Sequence, residues 1–196
     1  MYKKSFLDNI KNGEKMKSKI TILLLTIILL TACSFGTNTA KMAVEDYLNE
    51  YQNLSADVLN DMEKVIENES LTDDQKNIYR EILKRQYQNL KYEIISESYD
   101  ENNAVVTTKI NVYDLYKSQK ESSEYLKEHI NEFYSNGKYD NNLYLTYKLN
   151  KMKNSQNRID YTIDFNVVLE DNLWKIKEIS SNDLEKIHGI YNYENG

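Results

Sequence analysis

The clearest pattern in the chain is an alternation of apolar and polar residues near its C-terminal end. Over residues 159–169 every second side chain is apolar, and Asp, Thr and Asn fill the positions between them as far as Asn166. A period of two predicts a strand with one face on a core. Residues 171–172 indicate a turn, and residues 173–180 predict a returning strand with Trp174 and Ile176 facing inward.

Helical periodicity dominates the stretch from residue 39 to residue 90. Apolar residues recur there at steps of three and four, which predicts either one helix over residues 39–69 or two helices separated at 53–55. Thr72 and Gln75 form the pattern of a capping box, in which each side chain bonds the other residue's backbone amide. A further helix is therefore expected to begin after Thr72.

The middle of the chain predicts strands followed by helices. Residues 92–99 and 104–113 read as two strands joined at 100–103. Residues 121–134 predict a helix that Asn136-Gly137 would end, because glycine readily adopts a positive φ after a helix. Residues 141–153 fit a strand or a helix, and we prefer a helix because the flanking residues are polar. Residues 182–189 predict a short closing helix.

Together these elements predict an α+β fold for residues 40–196, taken as a single domain. One face of the mainly antiparallel sheet must be covered, and the leading helices offer the largest apolar surface for this. Helices packed in a curved sheet would make a cone with an open mouth. Five aromatic residues are candidates to line a pocket in that mouth, with core packing as the alternative. They are Tyr92, Tyr113, Tyr161, Phe165 and Trp174.

This layout, with the segments YTIDFNV at residue 161 and DNLWKI at residue 171, resembles the cystatin/NTF2-like superfamily. It is most similar to small lipoproteins of Gram-positive, clostridia-like bacteria, which the closing residues 186–189 also resemble. The resemblance covers residues 40–190 in layout and about the last thirty in motif. It implies the cone fold but no activity, since members of the superfamily include enzymes, ligand binders and interaction modules.

The N-terminal segment has the three parts of a secretory signal peptide, which we place at residues 1–32. Residues 20–30 read ITILLLTIILL, lysines at 15, 17 and 19 precede them, and small residues follow. A membrane-spanning helix needs about 20 apolar residues, so this run is short for one. Translation from Met1 or from Met16 would give the same mature chain.

The end of this segment resembles the bacterial lipobox, a leucine and two small residues before a cysteine. Its residues are Leu30, Thr31, Ala32 and Cys33. The resemblance implies that Cys33 receives a diacylglyceryl group and becomes the new N-terminus after cleavage. Residues 33–39 would then tether the domain within about 20 Å of the outer face of the cell membrane. Cys33 is the only cysteine, so no internal disulfide forms.

Charge excludes one class of partner for the folded part. The chain has a formal net charge of −6; six lysines and two acids in residues 1–32 give +4, which leaves −10 for the rest. A domain of that charge is repelled by phosphates, so we expect no nucleic-acid binding. Membrane lipid is the partner expected through Cys33, together with an envelope protein or a small ligand.

Candidate residues for chemistry are few, and the sequence contains no catalytic, phosphate-binding or dinucleotide motif. His129 is expected to pack on its helix, and His188 to favour the carbonyls at a helix end. Asp160 and Asp164 share the polar face of one strand, which is more typical of a solvated surface than of a calcium or acid–base site. No cofactor and no metal are therefore predicted.

We expect a non-enzymatic binding or interaction module, tethered to the extracytoplasmic face of the membrane. The first alternative is a surface enzyme that uses the cone as its active site, with His129 or the pair Asp160 and Asp164 as its base. The second is a structural lipoprotein without a ligand.

Overall fold

The computed structural model describes residues 38–194. The predicted signal peptide 1–32 and the predicted lipobox lie outside the described residues and stay predictions. These include Met16, Leu30, Thr31, Ala32 and Cys33. Within residues 38–194, no helix combines the length and the apolar character needed to cross a membrane.

Three helices joined by short turns open the described part of the chain. Helix α1 spans Ala40–Asn53, α2 spans Ala56–Glu67 and α3 spans Asp73–Gln88. Leu54 ends α1 with a left-handed φ of 52°, and the Ser55 side chain accepts from the Val58 amide at the start of α2. The two-helix alternative for residues 39–69 is therefore the correct one.

The capping box predicted at the start of α3 is confirmed. The Gln75 amide donates to Thr72 Oγ1 at 3.4 Å, and the Thr72 amide donates to Gln75 Oε1 at 3.0 Å. The buried Gln75 side chain also donates to the carbonyl of Asn142 and to Thr146 Oγ1. Gln75, the second member of the capping box, thus also ties α3 to a later helix.

The main sheet has four antiparallel strands. The strands of the chain are β1 (Lys91–Asp100), β2 (Asn103–Tyr113), β3 (Tyr134–Ser135), β4 (Lys138–Tyr139), β5 (Arg158–Glu170) and β6 (Leu173–Ile176). β1, β2, β5 and β6 lie side by side in that order, and β3 pairs only with β4. The predicted α+β class is confirmed. The sheet is open, with β1 and β6 at its edges, and β6 ends four residues earlier than predicted.

Helix α4 (Leu115–Glu128) begins six residues before the predicted start at 121. Its cap is Asp114, whose carboxylate accepts from the Lys117 amide at 2.9 Å. A 3₁₀ turn, Ile130–Phe133, follows it. Asn136 and Gly137, with φ of 52° and 76°, form the turn between β3 and β4, so their predicted role as a helix stop was wrong.

The two last helices were predicted correctly. Helix α5 spans Asn141–Asn154, as preferred over the strand alternative. Helix α6 spans Ser181–His188 and ends at Gly189, which takes a left-handed φ of 73°. The carbonyl of Gly189 accepts the Tyr116 amide at 2.9 Å, which connects the end of α6 to the start of α4.

The hydrophobic core consists of three clusters. The largest joins α1, the inner face of the sheet and Ile187 of α6, with Phe165 of β5 among its fully buried side chains. The second lies between α2 and α3, and the third joins α3 to α4 and α5. We expected the leading helices together to cover the sheet. Only α1 does so, because α2 and α3 bury their apolar faces against each other.

Candidate functional site

A groove of about 530 Å³ lies where the first and last parts of the described chain meet. The C-terminal half of α1 and the outward side of α2 form one flank. The end of β6, residues 177–180 and α6 form the other flank, and Tyr87 of α3 also lines the groove. A groove of this size falls within the range of ligand pockets, roughly 300–1,000 Å³.

One side of the groove is a row of four aromatic rings, Tyr47, Tyr51, Tyr87 and His188, which we call the aromatic row. Successive ring centroids lie 5.3, 5.0 and 5.6 Å apart, and the three tyrosines meet edge to face. The hydroxyls of Tyr47 and Tyr51 are 3.1 Å apart, and the Tyr87 hydroxyl is 2.9 Å from His188 Nδ1. The four polar groups therefore bond within the row in two pairs.

Burial controls the protonation of the aromatic row. It raises the pKa values of Tyr47, Tyr51 and Tyr87, and the nearby carboxylates of Glu50 and Asp61 add to this effect. The hydroxyls therefore remain neutral at physiological pH.

His188 is neutral for the same reason. Burial of its ring lowers its pKa to about 4, from 6.5 for an exposed histidine. We expected His188 to favour the carbonyls at the end of its helix. A neutral ring adds no charge to that helix end, and Nδ1 lies against the Tyr87 hydroxyl instead. In the structure His188 serves to close the aromatic row.

A second part of the lining, which we call the apolar wall, comes mainly from α2. Val58, Met62 and Val65 line it; the first two are buried against α3, and Val65 is 43% exposed. The spacing of four and three places all three toward one side of the helix. Ile179 and Leu184 add apolar surface from the other flank.

The rim of the groove is acidic. Glu50, Asp57, Asp61 and Glu178 line it, with Lys177 as the one basic side chain among the described lining residues. Lys177 Nζ donates to Asn103 Oδ1 at 2.9 Å, a contact at the turn between β1 and β2. The rim therefore carries a net negative charge.

A buried glutamine holds α6 in the position that closes the groove. Gln86 of α3 accepts the Tyr113 amide at 3.0 Å and donates to the carbonyls of Tyr113 and Ile187 at 3.3 Å each. Gly189 lies so close to this contact that a Cβ on it would be 2.2 Å from the Tyr113 oxygen and 2.4 Å from Gln86 Nε2. Only glycine fits there without displacing β2 or Gln86.

None of the five aromatic residues predicted to form a pocket lines this groove. Phe165 is buried in the largest cluster, and the Tyr92, Tyr161 and Trp174 side chains pack against that cluster. Tyr113 instead lies under the guanidinium groups of Arg85 and Arg158, at 3.8 and 4.6 Å. The five are thus spread along the sheet.

The hydroxyl groups of two of the five bear on their role. The Tyr92 hydroxyl donates to Asn49 Oδ1 of α1 at 3.0 Å, so it ties the edge strand to the helix. The Tyr161 hydroxyl is buried and has no hydrogen-bond partner within the described residues.

The side chains considered as catalytic bases do not line the groove. His129 stacks on Tyr125 with ring centroids 4.0 Å apart, at the end of α4. Asp160 bonds Lys109 and Asn111 on the outer face of the sheet, and Asp164 accepts from Thr107 at 2.7 Å. Four residues along a strand span about 13 Å, which is too far for two carboxylates to share one proton.

Among residues 38–194, no group of three or more His, Cys, Asp and Glu side chains is arranged to hold a metal ion.

Sequence reasoning missed the groove, because it singled out five aromatic residues of the predicted strands and neither Tyr47 nor Tyr51 of α1. Their separation of four residues is the only local sign of the aromatic row. Tyr87 and His188 are 101 residues apart, and no spacing in the sequence indicates their contact.

Comparison with known proteins finds no family model, no curated protein and no solved structure that matches the chain. The groove is therefore interpreted from its own geometry.

Proposed function

We propose that this chain is an extracytoplasmic lipoprotein, held in the cell membrane by a diacylglyceryl group on Cys33. Its folded part would be a non-enzymatic binding module. The proposal for the anchor rests on the basic, apolar and small-residue parts of the leader, which end in Leu-Thr-Ala-Cys at residues 30–33. Such an anchor keeps any binding site close to the membrane surface.

The single observation that supports a binding role is the groove. It combines an apolar wall, an aromatic row and an acidic rim in one concave surface, which is the usual composition of a ligand site. Val65 leaves apolar surface exposed on that wall, whereas Val58 and Met62 next to it are buried. A ligand with an apolar part would cover this surface.

Two features favour binding over catalysis at this groove. His188, with a pKa of about 4, is a weak base, and its Nδ1 is already engaged by Tyr87. A surface enzyme that uses His129, Asp160 or Asp164 has less support, because those groups do not converge on one cavity.

The NTF2-like cone is part of the same proposal. It is supported by the placement of α1 and α6 on one face of a four-stranded antiparallel sheet, whose other face carries polar pairs such as Thr107 with Asp164. In this proposal the groove opens beside α1, not among the five predicted aromatic residues.

The anchor is tested by metabolic labelling with an alkyne-tagged fatty acid in a Gram-positive host. We expect label on the wild-type chain, none on Cys33→Ser, and label on a control in which the unrelated surface residue Asp74 is changed to Asn. Fatty-acid label that persists in Cys33→Ser, or that is absent from the wild type, would contradict the lipoprotein assignment.

The groove is tested with the neutral fluorescent probe Nile red and the unit Asn38–Gly196, which contains all three apolar clusters. Val65→Trp places a bulky ring in the groove. Leu143→Trp is the matched control, because Leu143 is 44% exposed on another helix and does not line the groove. We expect the probe to bind the wild type and the control but not Val65→Trp; equal binding by all three would refute the site.

A further inference from the structure

We infer that the groove binds an organic cation with a single apolar chain, an ammonium-bearing amphiphile. This inference rests on the proposed function, in which the groove is the binding site of the module, and it names the chemical class of the ligand. Three properties of the groove lead to it: the sign of the charge at its rim, the aromatic row and the apolar wall.

The rim attracts a cation. Glu50 and Asp57 form no ion pair within residues 38–194, and Asp61 pairs only with Lys64 on the same helix, at 2.8 Å. An anionic ligand would meet three carboxylates from α1 and α2. Lys177 offers a single positive charge against these three, and its ammonium group donates to Asn103 Oδ1 at 2.9 Å.

The aromatic row offers a second attraction for a cation. The faces of tyrosine rings carry negative charge density, which favours an ammonium group over a neutral or anionic one. Tyr47 and Tyr51 are half-buried where they line the groove, so their rings carry this attraction, whereas Tyr87 is only 2% exposed and packs in the cluster between α2 and α3. No cationic side chain of the described residues is stacked on these three rings, whereas Tyr113 already holds two guanidinium groups.

The apolar wall accounts for the chain of the ligand. Val65 is 43% exposed, and Ile179 and Leu184 are half-buried, so these three lining residues offer the apolar surface that an alkyl chain would cover. Each buried methylene contributes about 0.8 kcal/mol, which a small hydrophilic cation would not gain. The volume of about 530 Å³ suits one chain.

The test is a calorimetric titration of the full chain in lipid nanodiscs, with the heat of empty nanodiscs subtracted. The probes are octyltrimethylammonium, octanol and octanoate, which share one alkyl length and differ in charge. We expect the cation to bind on the order of tenfold more tightly than octanoate, and the preference to shrink as salt rises from about 0.01 M to about 1 M.

Asp57→Asn and Asp74→Asn provide a matched pair of variants. Both residues lie in the first turn of a helix, α2 and α3 respectively, so each substitution removes the same charge and the same favourable helix-end contact. Asp57 lines the groove, whereas Asp74 does not. Asp57→Asn should weaken binding of the cation up to about fivefold, and Asp74→Asn should leave it unchanged.

The outcomes separate this inference from the proposed function. If octanol or octanoate binds as tightly as the cation, and Val65→Trp abolishes that binding, the groove remains a site but the cationic class is wrong. An equal effect of Asp57→Asn and Asp74→Asn would likewise overturn the cationic class. If no octyl probe binds, the ligand class is refuted, and the groove as a binding site falls with it only if Nile red also binds the wild type and Val65→Trp equally.

Discussion

Gly189 provides the sharpest test of how the groove is built, because it fixes α6 against α3 and β2. Gly189→Ala adds one Cβ at a residue with a φ of 73°. Gly137→Ala is a matched control, since Gly137 has a φ of 76° but no heavy atom within 4 Å of the added carbon. The two variants share the backbone strain and differ only in the contact.

The magnitudes follow from these two geometries. A left-handed alanine costs roughly 1–2 kcal/mol at either position. At Gly189 the added carbon would also lie 2.2 Å from the Tyr113 backbone oxygen, so the chain must move and the Gln86 bonds must lengthen or break. A buried amide that loses its hydrogen-bond partners lowers the free energy of unfolding by a further amount of about 1–3 kcal/mol. We expect Gly189→Ala to cost roughly 2 kcal/mol more than Gly137→Ala.

The assay is urea unfolding of Asn38–Gly196, followed through Trp174, the only tryptophan in the chain. The free energies of unfolding are compared between variants that have the same dependence on urea concentration, so that the difference reports stability alone. If the two variants lose the same free energy within about 0.5 kcal/mol, the close approach of Gly189 to Tyr113 and Gln86 does not exist in solution.

Two further predictions concern the acid stability of the groove and the start of α3. Because burial lowers the pKa of His188 to about 4, the unfolded chain takes up a proton before the folded one as pH falls below 6.5. The stability contributed by the neutral ring is therefore fully present above pH 6.5. The free energy of unfolding then falls by up to about 3 kcal/mol as the pH is lowered from 6.5 to 4. His188→Gln should show a smaller loss over that range in urea unfolding at each pH, and an unchanged loss would contradict a buried neutral ring. Thr72→Ala should lower the free energy of unfolding by about 1 kcal/mol, because it removes the capping box. Thr72→Ser keeps the hydroxyl and should lose much less; equal losses in thermal unfolding would mean that the cap is not formed.

Much of the fold could be predicted because its pattern is local. In β2 and β5 one face is buried along almost the whole strand, so a period of two is visible in the residues themselves. The capping box of α3 needs only Thr72 and Gln75 at the right spacing. Each of these signals depends on residues within one element.

The start of α4 was predicted too late for a physical reason. The side of α4 that is buried in its first turns carries Ser118 and Ser122, whose hydroxyls bond backbone carbonyls four residues earlier. A stripe of this kind lacks the apolar residues by which a helix is recognised. Asn136-Gly137 was misassigned because the same pair suits a helix end and a hairpin turn.

The groove could not be predicted because it is formed by tertiary contacts alone. Tyr87 and His188 are 101 residues apart, and their contact depends on Gln86 and Gly189. The five aromatic residues proposed from the sequence were chosen from strands. The structure places the aromatic row mostly on helices, where the same residues also look like ordinary core.

The most direct test of the groove as the binding site is a backbone NMR titration of labelled Asn38–Gly196 with octyltrimethylammonium. We predict saturable shift changes confined to the amides that line the groove, in residues 47–65 and 176–188. Shift changes centred on the sheet around Tyr92, Tyr161 and Trp174, or no saturable changes at all, would contradict the account.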